Sequence, residues 1–321
     1  MTDQHNLVVL LDLRLGAVLP AAALPALRGA SAVYAGSDLP EQVRLALGAE
    51  PVGATEQVLA APGPVALISA SLAEPTAAAL HAAGAVVIGT EPPAGAALLD
   101  AVSVMDRLRS PGGCPWDAKQ THDSLRQYLV EETYELLDAI EQGDRQALRE
   151  ELGDVLLQVL FHARVAAEDP APFDIDGVAQ DLVDKLVGRH PHVFGDEVAE
   201  DDHHDRRWDE LKQAEKRRES SVDGVALGQP AVSLAGKLAS RTSKAGFPVD
   251  LLPDGEGAGV TLFLVAALAR LAGEDPEGEL RAVAKRFERE VRAAEQAAKQ
   301  AGLDQTRLSA DDWRRYWPAS T

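Results

Sequence analysis

Residues 128–163 read YLVEETYELLDAIEQGDRQALREELGDVLLQVLFHA, and the way their acids fall around a helix decides how this part of the chain folds. Apolar residues recur at helical spacing on both sides of Glu141-Gln142-Gly143-Asp144, which predicts two helices joined by a short turn as an antiparallel hairpin. With about 100° per residue, Leu125, Leu129, Leu136 and Ile140 lie within about 80° of Glu132 on one side, and Glu135 lies about 60° to the other. The next helix repeats the design: Leu148, Leu152, Val155 and Val159 lie within about 100° of Glu151, and Asp154 about 60° to the other side. Glu131, Asp138 and Glu150 point further outward. Each helix therefore sets an i, i+3 acidic pair at the border of its buried face, and the hairpin turns the two pairs toward each other.

Four inward carboxylates need a counter-charge. Two of them ~5 Å apart repel by roughly 3 kcal/mol at an effective dielectric of ~20. Protonation or a bound cation relieves this, and a donor set made only of oxygen selects a hard ion, Mg²⁺ or its substitute Mn²⁺. A di-iron site would pair Glu with Glu-x-x-His, and both motifs here are purely acidic. Mg²⁺ keeps positions open for water and phosphate oxygens, so phosphoanhydride chemistry suits the pattern.

The remaining composition narrows the field. The 321 residues carry a formal net charge of −20, which argues against a nucleic-acid partner. The lone Cys114 forms no internal disulfide, and MTDQHNLVVLLDLRLGAVLPAAALPAL lacks a basic leader segment. No apolar run reaches the ~20 residues that span a membrane, so a cytoplasmic location without membrane contact is expected. His190 and His192, like His203 and His204, lack zinc-ligand spacing, and there is no Walker-type phosphate loop.

Three regions are expected. Residues 1–97 alternate short apolar runs (NLVVLLDL, SAVYAG, PVALISA, AVVIGT) with helical patterns, predicting a small α/β domain. Residues 98–224 are almost wholly helical, with breaks at SPGGCPWD, EQGD, EDPAPFD and RHPHVFGDE. Residues 225–321 are helical again and read as a partial repeat: LLQVLFHARVAAEDP (156–170) aligns with LFLVAALARLAGEDP (262–276) at an offset of 106. Lys185 and Arg189 likewise have counterparts in Lys285 and Arg289. Glu151 and Asp154, however, fall on Gly257 and Val260, and this region has no Glu-Glu helix, so the second copy lost the acidic cluster.

Glu-x-x-Glu followed by Glu-x-x-Asp on a hairpin, within LLDAVSVMDRLRSPGGCPWDAKQTHDSLRQYLVEETYELLDAI, LVDKLVGRHPHVFGD and RWDELKQAEK, resembles the MazG family of nucleoside triphosphate pyrophosphohydrolases. The resemblance covers residues 98–218 and continues in weaker form to the C-terminus, as a degenerate second MazG-like region. It implies a mainly α protein, an all-α MazG-type bundle preceded by the small α/β domain, that assembles as a homodimer. The implied reaction is Mg²⁺-dependent hydrolysis of an NTP or dNTP to the monophosphate and pyrophosphate, with clearance of non-standard nucleotides as a role. Glu132, Glu135, Glu151 and Asp154 match the family's metal ligands, and Glu131 is a candidate to orient water. Lys185, Arg189 and Trp208 match positions that contact the nucleotide. Tyr128, Leu129, Val130 and Glu131, with Ala147, Leu148, Arg149 and Glu150, would line its pocket. Trp116, Lys119 and His122 precede the first acidic helix and are candidates for base stacking or phosphate contact, or for capping that helix. The competing reading is a non-catalytic bundle that senses nucleotide or binds a partner. The N-terminal VVLLDLRLGAVLP…ALRGASAVYAG resembles the start of tetrapyrrole methylases, but LDLRLGAV replaces the glycine-rich cofactor turn, so a remnant without methyltransferase activity is expected.

Overall fold

The computed structural model describes residues 5–195 and 219–318, so Trp208, His203 and His204 lie outside the described residues. The chain divides into two compact units, Met1–Gly188 and Arg189–Thr321.

The first unit opens with a five-stranded parallel sheet of order β3-β2-β4-β1-β5. Its strands are β1 (Leu7–Leu10), β2 (Ala32–Ala35), β3 (Glu50–Pro51), β4 (Val65–Ser69) and β5 (Val86–Gly89). The four apolar runs read from the sequence are β1, β2, β4 and β5. The two-residue edge strand β3 carries no apolar run, which is why hydrophobicity did not reveal it. Helices α1 (Leu24–Gly29), α2 (Glu41–Leu47), α3 (Thr55–Leu59) and α4 (Pro75–Ala82) connect the strands. Alternate residues of the central strands enter different cores. Leu7 and Val9 pack with Ala66 and Ile68, whereas Val8 packs with Leu67 and Leu80. Both faces of the sheet are thus buried, as parallel pairing with helical crossovers requires.

Helix α5 (Ala97–Arg109) leads through the SPGGCPWD loop to α6 (His122–Gln142). The loop folds back on α5, with Cys114 N donating to Leu108 O at 2.7 Å. A Cβ on Gly113 would stand 2.3 Å from the carbonyl oxygens of Arg107 and Leu108, so only glycine fits there. Arg109 ties the loop down by donating through Nη1 to Asp117 O (2.7 Å) and Gln120 O (3.0 Å). Thr121 and Ser124 form a reciprocal capping box at the start of α6.

The EQGD break behaves as read. Gly143 closes α6 in the left-handed conformation (φ 68°), and Asp144 caps α7 (Arg145–Ala166) by accepting from Gln146 N and Ala147 N. The two helices pack as a hairpin. Its core collects at one end, where Leu125, Leu160, Phe161 and Val165 meet Met105 of α5. The apolar arc expected along all of α6 is therefore buried only in part: Leu125 is 1% exposed, while Leu129 and Ile140 are exposed, Ile140 at 55%. α5 covers the start of α6 and the end of α7, and the half of the hairpin near Gly143 extends past that cover. Helix α8 (Ile175–Arg189) and the helical turn α9 (Pro191–Phe194) follow.

The second unit contains α10 (Ala231–Lys244), α11 (Ala258–Leu271), α12 (Pro276–Gln300) and α13 (Ala310–Tyr316). α10 reaches α11 through Pro248 and a 3₁₀ turn at Val249–Leu251, much as α5 reaches α6 through Pro115 and a 3₁₀ turn at Asp117–Lys119. Among the described residues the acidic α6 has no counterpart here. Gly257 caps α11 from outside the helix at φ 119°, and Val260 lies in its first turn. Among the described residues no helix is long and apolar enough to cross a membrane.

Candidate metal centre

Glu132 on α6 and Glu151 and Asp154 on α7 each bring a carboxylate oxygen within 4.8 Å of the other two. All three are half-buried. They sit on the part of the hairpin beyond its apolar core. Glu135 is the exception among the four acids read from the sequence. It is exposed and outside this trio, at the margin, yet its charge acts on both Glu132 and Glu151. Glu131 and Glu150 are exposed, as the wheel predicts.

The electrostatics of the trio are those of an uncompensated acidic cluster. Loss of solvent raises the Glu132 carboxyl above its usual range, and the charges of Asp154 and Glu135 raise it further. Glu151 is raised for the same reasons, by loss of solvent first and then by Glu135 and Asp154. Among the described residues no cation is one of the groups acting on either. Glu151 Oε2 is also buried without a hydrogen-bond partner. A buried, unpartnered carboxylate oxygen on a residue that converges with two other carboxylates fits a hard divalent cation, because the donors of the trio are all oxygen.

The other expected residues are placed less uniformly. Tyr128 is half-buried against the hairpin core, whereas Leu129 and Val130 are exposed. Ala147 and Leu148 are half-buried in the first turn of α7, and Arg149 is exposed. Trp116 packs edge-on against Tyr128 (6.0 Å) and Phe161 (6.4 Å) but remains 51% exposed, so the ring is fixed on one side and open on the other. Lys119 is exposed in the 3₁₀ turn that follows. His122 is engaged elsewhere: its Nδ1 lies 2.7 Å from His162 Nδ1 with the two rings stacked, and its Nε2 is 3.8 Å from Asp169. On α8, Lys185 is exposed and Arg189 half-buried at the last position.

One residue escaped the sequence reading. Gln158 is 4% exposed, and its Oε1 has no hydrogen-bond partner. It follows Asp154 by one turn and falls between Asp154 and Glu151 on the wheel, so the polar face of α7 continues inward past the acids. The available signal was a lone amide inside the otherwise apolar VLLQVLF.

Two family descriptions match the chain: "MazG nucleotide pyrophosphohydrolase domain" over residues 120–194 and "MazG N-terminal domain" over residues 6–88. The first covers the acidic hairpin and α8, and the second covers the parallel sheet. These matches, with the relatives that follow, make the chain a hydrolase of phosphoric anhydrides. The chain belongs to the MazG family of nucleoside triphosphate pyrophosphohydrolases. It is 43% identical over 331 residues to a protein of Mycolicibacterium smegmatis named nucleoside triphosphate pyrophosphohydrolase, covering 98% of this chain and 96% of that one. A protein of the same name from Mycobacterium tuberculosis is 39% identical, covering 98% of this chain and 95% of that one. An uncharacterised 26.1 kDa protein of Streptomyces cacaoi is 55% identical over 204 residues, 63% of this chain and 84% of that one.

Proposed function

We propose that this protein hydrolyses nucleoside and deoxynucleoside triphosphates to the monophosphate and pyrophosphate in a Mg²⁺-dependent reaction, and that non-standard nucleotides are among its substrates. The observation that carries this reading is the convergence of Glu132, Glu151 and Asp154, with the carboxyls of Glu132 and Glu151 raised and no compensating cation acting on those two among the described residues. These three would hold the ion, with Glu135 completing the set from the margin. A bound Mg²⁺ there supplies charge neutralisation for the triphosphate and Lewis acidity toward water. Glu131 is exposed one residue before Glu132, where it can take a proton from the attacking water as general base. Lys185 and Arg189 would offset phosphate charge, and the open side of Trp116 offers a surface for a base. Trp208 belongs to the same proposed nucleotide contacts. Exposed apolar side chains on the hairpin, among them Val130 (53%), Ile140 and Leu152, support assembly as a homodimer, because a patch of this kind favours cover by protein.

The test is pyrophosphate release from a panel of ordinary and modified NTPs and dNTPs, with Mg²⁺, with Mn²⁺ and with EDTA. Turnover in Mg²⁺ that EDTA abolishes supports the reading. Saturable nucleotide binding without turnover in any metal would replace it with a sensing role.

A further inference from the structure

We propose that the second unit carries a binding pocket for a small phosphate-bearing anion, built from its own residues around Lys237 and Arg270. The acidic cluster contributes nothing to it, so it does not rest on the catalytic reading above. A cavity of about 360 Å³ lies where α10 meets the junction of α11 and α12, lined by Gln229, Ser233, Lys237, Arg270 and Asp275. That volume is at the small end of ligand pockets and suits pyrophosphate or the phosphates of a mononucleotide.

The cations are what distinguish this cavity. The chain has 51 Asp and Glu against 31 Lys and Arg, so a carboxylate is the expected neighbour of any basic group. Among the described residues neither Lys237 nor Arg270 has a carboxylate at ion-pair distance. The only hydrogen bond of the Arg270 side chain there is a long one, from Nη1 to Glu274 O at 3.4 Å. Its counterpart in the first copy, at the offset of 106, is Arg164, which is ion-paired to two carboxylates. Arg164 Nε donates to Asp106 and Nη1 to Glu168, each at 2.8 Å. The second copy retains an acid at the matching i+4 position, Glu274, but only its backbone reaches Arg270. The duplicated arginine, held in ion pairs in one unit, is left without a carboxylate partner in the other among the described residues.

Other features favour an anion. Gly236 is buried in α10, and a Cβ there would meet Arg270 Cβ at 3.2 Å, so the glycine lets the Arg270 stem lie against α10 beside Lys237. Pro276, the first residue of the 25-residue α12, also lines the cavity and brings the positive end of that helix to it. The one acid, Asp275, has an oxygen 2.6 Å from where a Gly278 Cβ would stand, so its carboxylate is folded over the first turn of α12. The lining keeps a net positive charge, with the Ser233 hydroxyl and the Gln229 amide as neutral donors.

Calorimetry on the full chain in EDTA, with inorganic pyrophosphate as the probe, tests this directly. Without metal the acidic cluster repels the probe. We expect saturable binding of one pyrophosphate per chain. Lys237→Gln combined with Arg270→Gln should weaken it at least tenfold, and Lys299→Gln combined with Arg307→Gln, which removes the same charge elsewhere, should change it less than twofold. Competition by AMP would extend the occupant to nucleotides, and competition by inorganic phosphate alone would confine it to free phosphates. No saturable binding, or equal weakening by both double variants, would overturn the proposal. Circular dichroism of each variant separates a lost site from a lost fold.

Discussion

Glu150 and Glu151 are adjacent in sequence and opposite in circumstance. Glu150 is exposed, while Glu151 is half-buried with one oxygen orphaned beside Asp154 and Glu132. A ligand to an ion that stabilises developing charge is worth several kcal/mol in the transition state, so Glu151→Gln should lower kcat by about 10²-fold or more. Glu150→Gln should stay within about threefold, since a typical surface substitution perturbs its surroundings little. Steady-state kinetics in saturating Mg²⁺ checks both, and equal losses would mean the hairpin is rotated from this arrangement. The wheel selected Glu132, Glu151 and Asp154 because a helix fixes the angle between residues on one element. It placed Glu135 on the same footing, whereas the structure leaves that residue exposed at the margin of the trio, because the angle does not say how far along the hairpin the neighbouring helices provide cover.

At the level of elements, α5, its loop and α7 are held together by Arg109 and Arg164. Arg109 Nη2 meets Glu168 Oε2 at 2.9 Å, and Arg164 Nη1 meets Glu168 Oε1 at 2.8 Å. The hydrogen bond from Arg109, aided by the charges of both arginines, holds the Glu168 carboxyl below its usual range. A carboxyl depressed in the folded state contributes stability above its unfolded pKa, about 4.3, and loses it as pH falls through the lower folded value. Glu168→Gln should therefore be less stable than wild type at pH 7 by about 1 kcal/mol or less, given its exposure. That difference should shrink below about pH 4 as wild-type Glu168 protonates. Chemical denaturation at several pH values measures it, and a gap constant down to pH 3 would assign the effect to packing. None of this network was read from the sequence. Arg109 and Glu168 lie 59 residues apart and on different elements, and only folding brings them together.

For the molecule as a whole, the exposed apolar side chains of α6 and α7 are where the homodimer proposed above would form its interface. Ile140→Glu would place a charge within that surface and should shift the protein toward monomer in light scattering coupled to gel filtration. The substitution should leave the monomer folded, because Ile140 is already 55% exposed. A dimer unchanged by Ile140→Glu and by Val130→Glu would move the interface to another face. The second unit explains the other half of the architecture. It keeps a helix pair and the Glu-Asp-Pro turn but lacks the acidic helix, so the chain carries one acidic trio among its described residues.

Local order decides how much of this was readable in advance. The hairpin, its Gly143-Asp144 turn, four of the five strands and the i, i+3 spacing of the acids on each helix follow from periodicity and capping, which act between residues a few positions apart. The edge strand β3, the exposure of Glu135 and Ile140, the buried Gln158 and the lack of a carboxylate partner for Arg270 among the described residues do not. Each depends on what stands opposite a side chain after folding, and that neighbour comes from another part of the chain. The sequence of α7 determined that Glu151 and Asp154 share a face. Only the packing of α6 against it decided that Glu132 joins them, because convergence in space is a property of the pair of helices and belongs to neither alone.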